Sequence, residues 1–266
     1  MEENVLMAFL LTALAGLSTG IGSALAFFTR RTSRSFLSLA LGFSAGVMIY
    51  ISFAELLVQG TRSLSEAHGE SWGRWAGPAA FFGGFAVALI IDLLVPSHEN
   101  PHEAHTIEKM DNGRPDEAAR LKRLGMFTAL AIGIHNFPEG LATFAAAMSD
   151  VKLGISIAVA VAIHNIPEGI SVAVPIYFAT GSRKKAFWYS FLSGLSEPAG
   201  ALVGFLVLRP FFSDTLFGIL FASVGGIMVF ISLDELIPTA KEYERGHLAV
   251  YGLGLGMVVM AVSLLI

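Results

Sequence analysis

His135-Asn136-Phe137-Pro138-Glu139-Gly140 recurs as His164-Asn165-Ile166-Pro167-Glu168-Gly169, and both copies stand inside long apolar runs. A carboxylate or imidazole at the centre of a bilayer costs on the order of 3 kcal/mol or more when unpaired, so such residues mark function. His and Glu four apart lie on one face of a helix, about 6 Å apart along its axis. Each hexapeptide therefore reads as a two-ligand clamp for a metal cation, placed where lipid forbids unpaired polar groups.

The runs around the motif set the fold class. With 54% hydrophobic and 14% charged residues in 266, the chain is more apolar than a soluble domain of this size. Eight runs read as spans: Val5–Phe28, Phe36–Val58, Gly77–Val95, Leu124–Met148, Leu153–Phe178, Ala186–Leu208, Asp214–Pro238 and Leu248–Ile266. Each is about 20 residues, enough to cross a bilayer as helix. The expectation is an all-α polytopic membrane protein with eight transmembrane helices grouped 3+2+3. One domain covers residues 1–266: spans 1–3 in 1–96, a loop in 97–123, spans 4–5 in 124–178 and spans 6–8 in 179–266. The first span opens with Glu2 and Glu3 in place of a basic stretch, so it reads as a permanent helix.

The net charge of -4 says little, but the cations are distributed unevenly. Arg30, Arg31 and Arg34, then Lys109, Arg114, Arg120, Lys122 and Arg123, then Arg183, Lys184 and Lys185, then Lys241 and Arg245 fall in alternate loops. The positive-inside rule puts those loops in the cytoplasm and both termini outside. With no cysteine, thiolate sites and disulfides are excluded, and any metal is held by N and O ligands.

The chain also repeats itself. At an offset of 180, Ala45 to Leu56 aligns with Gly225 to Leu236; at 178, Gly16-Leu17-Ser18-Thr19-Gly20-Ile21-Gly22 aligns with Gly194-Leu195-Ser196-Glu197-Pro198-Ala199-Gly200. Span 2 matches span 7, span 1 matches span 6, and the hexapeptides match span 4 to span 5. Under the charge-derived topology each pair runs in opposite directions, which is the inverted repeat of many alternating-access carriers.

The short connection at Asp150 makes spans 4 and 5 antiparallel neighbours. Both histidines lie about eleven residues into their spans, about 17 Å deep. His135, Glu139, His164 and Glu168 can then face one another as a His2Glu2 set suited to zinc, iron or manganese. An empty set should hold protons or water. Pro138 and Pro167 free the carbonyls of Ile134 and Ile163 and let the helices kink. Asn136, Asn165 and the intramembrane Glu197 offer oxygens for a second, adjacent ion bridged by the two glutamates.

On these residues the chain resembles the ZIP (Zrt-, Irt-like) divalent metal transporters, most closely their bacterial ZupT-like branch. The likeness rests on the motif pair, Glu197-Pro198, the span count and a His-bearing loop between spans 3 and 4. It implies a first metal site of His135, Glu139, His164 and Glu168, and a second of Asn136, Asn165 and Glu197 with the glutamates bridging. It further implies a homodimer in the bacterial inner membrane that takes up Zn2+, Fe2+, Mn2+, Co2+ or Cd2+. Spans 1, 4, 5 and 6 would slide against spans 2, 3, 7 and 8. The metal is substrate, and no catalytic cofactor is expected.

Other residues extend the route. Glu55, near the outer end of span 2, reads as an acidic mouth or an interfacial helix end, while Asp92, Asp234, Glu235 and His98 read as an exit. The loop with His98, His102 and His105 reads as an ion-capturing segment or a solvated linker. Met48 and Met228 read as packing, as do the 21 phenylalanines. No P-loop or Rossmann glycine pattern is present, so neither ATP nor nucleic acid is an expected partner. Two other classes compete with a carrier: a membrane-embedded di-metal oxidase or hydrolase, and a metal-sensing receptor. The His-x-x-x-Glu spacing fits neither the Glu-x-x-His of di-iron proteins nor the His-Glu-x-x-His of zinc proteases.

Overall fold

Inside a bilayer every backbone N–H and C=O must be satisfied within its own segment, which makes apolar runs of this length helical. The computed structural model of the chain describes residues 2–28, 34–94, 115–243 and 246–265. Every regular element among them is helical, and they line up as eight rods. The first is α1 (Glu2–Phe28). The second joins α2 (Arg34–Ile51), a π-helical turn (Ser52–Leu56) and α3 (Leu57–His68); α4 (Glu70–Leu94) is the third. The motif helices are α5 (Pro115–Ser149) and α6 (Val151–Thr180). The sixth rod is α7 (Arg183–Gly194), α8 (Ser196–Val203) and a π-turn (Gly204–Leu208). The seventh is α9 (Asp214–Ile231), a π-turn (Ser232–Leu236) and α10 (Ile237–Glu242), and α11 (Leu248–Ser263) is the last.

Among the described residues, six stretches are long and apolar enough to cross a membrane: 4–24, 35–68, 70–94, 151–174, 183–208 and 214–242. The chain is a multi-pass membrane protein. Its turns are tight. Gly69, at φ +93°, separates α3 from α4, and Gly181, at φ +61°, ends α6. Asp150 alone separates α5 from α6 and caps the latter, its side chain accepting from the Leu153 amide at 2.9 Å.

Three features depart from the sequence reading. The second rod runs on to His68, because Gly60 and Leu64 bury against Gly218 and Ala222 of α9 and hold a polar stretch in helix. Glu55 therefore lies about 20 Å short of that rod's end, inside the π-turn. The sixth run is interrupted at Leu195, three residues before Pro198, whose missing N–H leaves the Gly194 carbonyl without its helical donor. Finally, α5 starts at Pro115, so 115–123 of the expected loop is helix, with proline first, then Asp116 and Glu117.

Glycines set the packing by letting backbones touch. In one group, a Cβ on Gly22 would strike the Ile166 carbonyl, and one on Gly200 the Phe137 carbonyl. These are the same contact twice over, since Gly22 aligns with Gly200 and Ile166 with Phe137. Likewise a Cβ on Gly169 would strike Thr19, and one on Gly140 its repeat mate Glu197. Gly16 and Gly194, also repeat mates, each abut the other's carbonyl, so α1 crosses the end of α7 on the repeat axis. In a second group Gly84 meets Ser223 and Gly256 meets Phe43, while Gly226 meets Phe81 and Gly46 meets Leu253. The repeat is thus built into the contacts of both groups.

Among the described residues no such glycine contact joins the two groups. The first comprises α1 and α5 to α8; the second comprises α2 to α4 and α9 to α11. Between them lies an apolar layer of small or smooth side chains, among them Ala45, Ala142, Ala145, Ala146, Ala160 and Val161. Met48 and Met228 are buried in the same layer as packing residues.

A buried histidine, glutamate and asparagine centre

The motif helices stay α-helical through Pro138 and Pro167 and bring both hexapeptides together at their contact. Seven predicted ligands, His135, Asn136, Glu139, His164, Asn165, Glu168 and Glu197, are all at most 4% exposed. The imidazoles and carboxylates pair across the interface, not along each helix. His135 Nε2 lies 3.4 Å from Glu168 Oε2, and His164 Nε2 lies 3.4 Å from Glu139 Oε2. The within-helix pair is looser, with His164 Nε2 4.0 Å from Glu168 Oε1. Glu168 therefore faces both imidazoles.

The His164 tautomer follows from its neighbour. Nδ1 lies 3.0 Å from the Ala160 carbonyl, which can only accept, so Nδ1 carries the hydrogen. Nε2 then presents a lone pair towards a carboxylate oxygen, and a cation, metal or proton, has to stand between them. This backbone anchor also fixes the ring as metal-binding histidines are usually fixed. From α2, Ser44 Oγ donates to the His164 carbonyl at 3.3 Å.

Beside this set lies an amide and carboxylate layer. Asn165 Nδ2 donates to the Glu197 carboxylate and, at 3.0 Å, to the carbonyl of Ala15 on α1. Asn136 Nδ2 donates to the Ser193 carbonyl at 3.5 Å. The break at Leu195 puts Glu197 in the first turn of α8, against Gly140. Five buried oxygens here have no hydrogen-bond partner: Asn136 Oδ1, Glu139 Oε1, Asn165 Oδ1, Glu168 Oε1 and Glu197 Oε2. Buried oxygens are normally satisfied. Three carboxylates with orphaned oxygens around two imidazoles form a donor set that a divalent cation would complete.

Among the described residues no three His, Asp or Glu side chains are already drawn into a coordination cage. The centre consists of two crossed pairs.

The remaining route residues are dispersed. Glu55, half-buried, accepts from Gln59 at 3.2 Å. Its repeat mate Glu235 is buried in the matching π-turn. Asp234 is half-buried beside it, and Asp92 is half-buried near the end of α4. His98 lies outside the described residues. Sequence reasoning missed the Ala15 and Ser193 carbonyls, since any residue supplies one, and it missed Ser44.

Comparison with known proteins points one way. A family model described as ZIP Zinc transporter matches residues 4–264. The chain is 61% identical over 272 residues to the zinc transporter ZupT of Nitratidesulfovibrio vulgaris, covering 100% of this chain and 98% of the relative. It is 59% identical over 267 residues to that of Lysinibacillus sphaericus, covering 100% and 99%. It is 56% identical over 266 residues to that of Streptococcus mutans, again covering 100% and 99%.

Proposed function

This chain belongs to the ZIP zinc transporter family, a family of transporters and not of enzymes, and from that premise we propose that it takes up Zn2+ through a two-ion centre. The observation that carries the reading is the set of orphaned buried oxygens on Asn136, Glu139, Asn165, Glu168 and Glu197 beside two imidazoles. A first ion takes His135, Glu139, His164 and Glu168, replacing the protons or water that otherwise separate the crossed pairs. A second takes Asn136, Asn165 and Glu197, with Glu139 and Glu168 bridging. Fe2+, Mn2+, Co2+ and Cd2+ fit the same N and O donors, since affinity at such sites follows the general divalent order.

Alternating access supplies the movement. The intimate glycine contacts hold α1 and α5 to α8 as one body, and α2 to α4 with α9 to α11 as another. Among the described residues no glycine contact locks the alanine-rich layer between them, so sliding costs side-chain packing and the Ser44 hydrogen bond to the His164 carbonyl. Both ions ride on the first body. The charge bias of the loops supports both termini outside the plasma membrane, and the protein works as a homodimer.

Purified protein in liposomes tests the core of the reading. Zinc should accumulate in loaded vesicles well above the level in empty ones, without ATP. Equal zinc content in the two would end the carrier interpretation.

A further inference from the structure

Thr19 is the repeat mate of Glu197, and the structure places the two alike. Each flanks the crossing of α1 with α7 at Gly16 and Gly194. A Cβ on Gly16 would lie 3.3 Å from Glu197 Cβ, and one on Gly194 would lie 2.8 Å from Thr19 Cβ and 2.9 Å from its Oγ1. The asparagines obey the same symmetry. Asn165 donates to the Ala15 carbonyl and Asn136 to the carbonyl of Ser193, which is the repeat mate of Ala15. Asn165 also donates to Glu197. The corresponding partner of Asn136 would be Thr19.

At that position the structure leaves two oxygens open. Thr19 Oγ1 and Asn136 Oδ1 are both fully buried and neither has a hydrogen-bond partner. A helical hydroxyl has an easy local solution, donating to a carbonyl one turn back. Its neighbours on α1 take it: Thr12 donates to Ala8 at 2.9 Å, Ser18 to Ala15 at 2.6 Å and Ser23 to Thr19 at 3.0 Å. Thr19 alone of these four keeps its hydroxyl out of that bond.

We propose that Thr19 belongs to the ligand shell of the second cation, closing it from α1 opposite Glu197 on α8, and that the threonine–glutamate difference sets how tightly that ion is held. The inference rests on the two-ion reading above. A hydroxyl lends a hard oxygen without charge, so the second ion meets a carboxylate on one flank and a neutral donor on the other. Two dications then face three carboxylates, Glu139, Glu168 and Glu197, and the site keeps a residual positive charge that favours release. Inverted symmetry makes the two flanks interchangeable: the carboxylate serves equally well from position 19.

Zinc bound per chain, counted by equilibrium dialysis of the full-length protein, tests this with E197T, T19V and the exchange variant T19E/E197T. The wild type should bind two ions, E197T one, and the exchange variant two again. T19V, which keeps the shape and loses only the hydroxyl oxygen, should weaken the second ion roughly tenfold and leave the first unchanged. An E197T protein that still binds two ions would remove the two-ion reading and the inference with it. If E197T binds one ion and the exchange variant also binds one, or if T19V holds the second ion as tightly as the wild type, the two-ion reading stands and the role of Thr19 fails.

Discussion

At Glu168 both carboxylate oxygens look at imidazoles, Oε2 at His135 and Oε1 at His164, whereas Glu139 makes its close contact, at 3.4 Å, with His164. The two glutamates of the repeated motif are thus unequal, although their sequence contexts are nearly the same. Neutralising Glu168 removes a charge-bearing partner from both rings, so Glu168→Gln should lower zinc affinity by more than Glu139→Gln does, on the order of 100-fold against tenfold. Competition against a fluorescent chelator measures both; equal losses would mean that the second contact of Glu168, to His164, carries no weight. Truncation is harsher. His135→Ala and Glu139→Ala should each abolish flux in liposomes while the purified protein keeps its helical circular dichroism, and wild-type uptake by both would take the pairs out of the mechanism. Glu197 stands apart from the imidazoles. Glu197→Gln should change uptake rate or metal preference more than it changes melting temperature, and an unchanged metal profile would count against a second ion.

Helix pairs in this protein meet through glycine, and the hexapeptide shows why its last residue is fixed. Gly140 lets α5 touch the Glu197 backbone, and Gly169 lets α6 touch Thr19, so each motif positions its own flank of the centre. A methyl at Gly140 must push α8 away, at a cost of about 1–3 kcal/mol for overpacking, and carry Glu197 with it. Gly254 on α11 has open space around it. Gly140→Ala should therefore lower both melting temperature and zinc binding, and Gly254→Ala neither; matching effects would show that α8 does not rest on α5 as described. The π-turns are a second device of this scale. Ser52 and Ser232 each donate back to a methionine carbonyl, at 2.6 and 2.8 Å, at matching positions of the repeat. π-turns cluster at functional sites, and these carry Glu55 and Glu235. Neither turn was legible beforehand, since a single extra residue per turn leaves no mark on an apolar run. The break at Leu195 was more accessible, because Pro198 removes a named hydrogen bond. All seven candidate residues stood out in the sequence because ionisable and amide side chains have no ordinary place in such runs, and the structure buries every one of them. Their crossed pairing was not legible, because i, i+4 spacing fixes a shared face but not which neighbour each side chain meets.

Across the whole molecule, the inverted repeat accounts for both the doubling of the motif and the division into two bodies. Repeat mates make the same contacts twice within each body, and among the described residues no glycine contact bridges the bodies, which face each other across the alanine-rich layer. One hydrogen bond crosses that layer beside the buried centre, from Ser44 on α2 to the His164 carbonyl on α6. The proposed rigid-body sliding would have to break it and expose Ser44 to whichever compartment the centre opens towards. Ser23, equally buried, sits within one body and bonds to Ser190 at 2.5 Å, so sliding leaves it covered. The native chain has no cysteine, which makes single thiols clean reporters. Ser44→Cys should react with a water-soluble maleimide at a rate that changes severalfold when zinc is added, while Ser23→Cys stays unreactive throughout. A Ser44→Cys thiol as inert as the one at position 23, with and without zinc, would mean that the layer does not open, and that ions pass through a fixed structure.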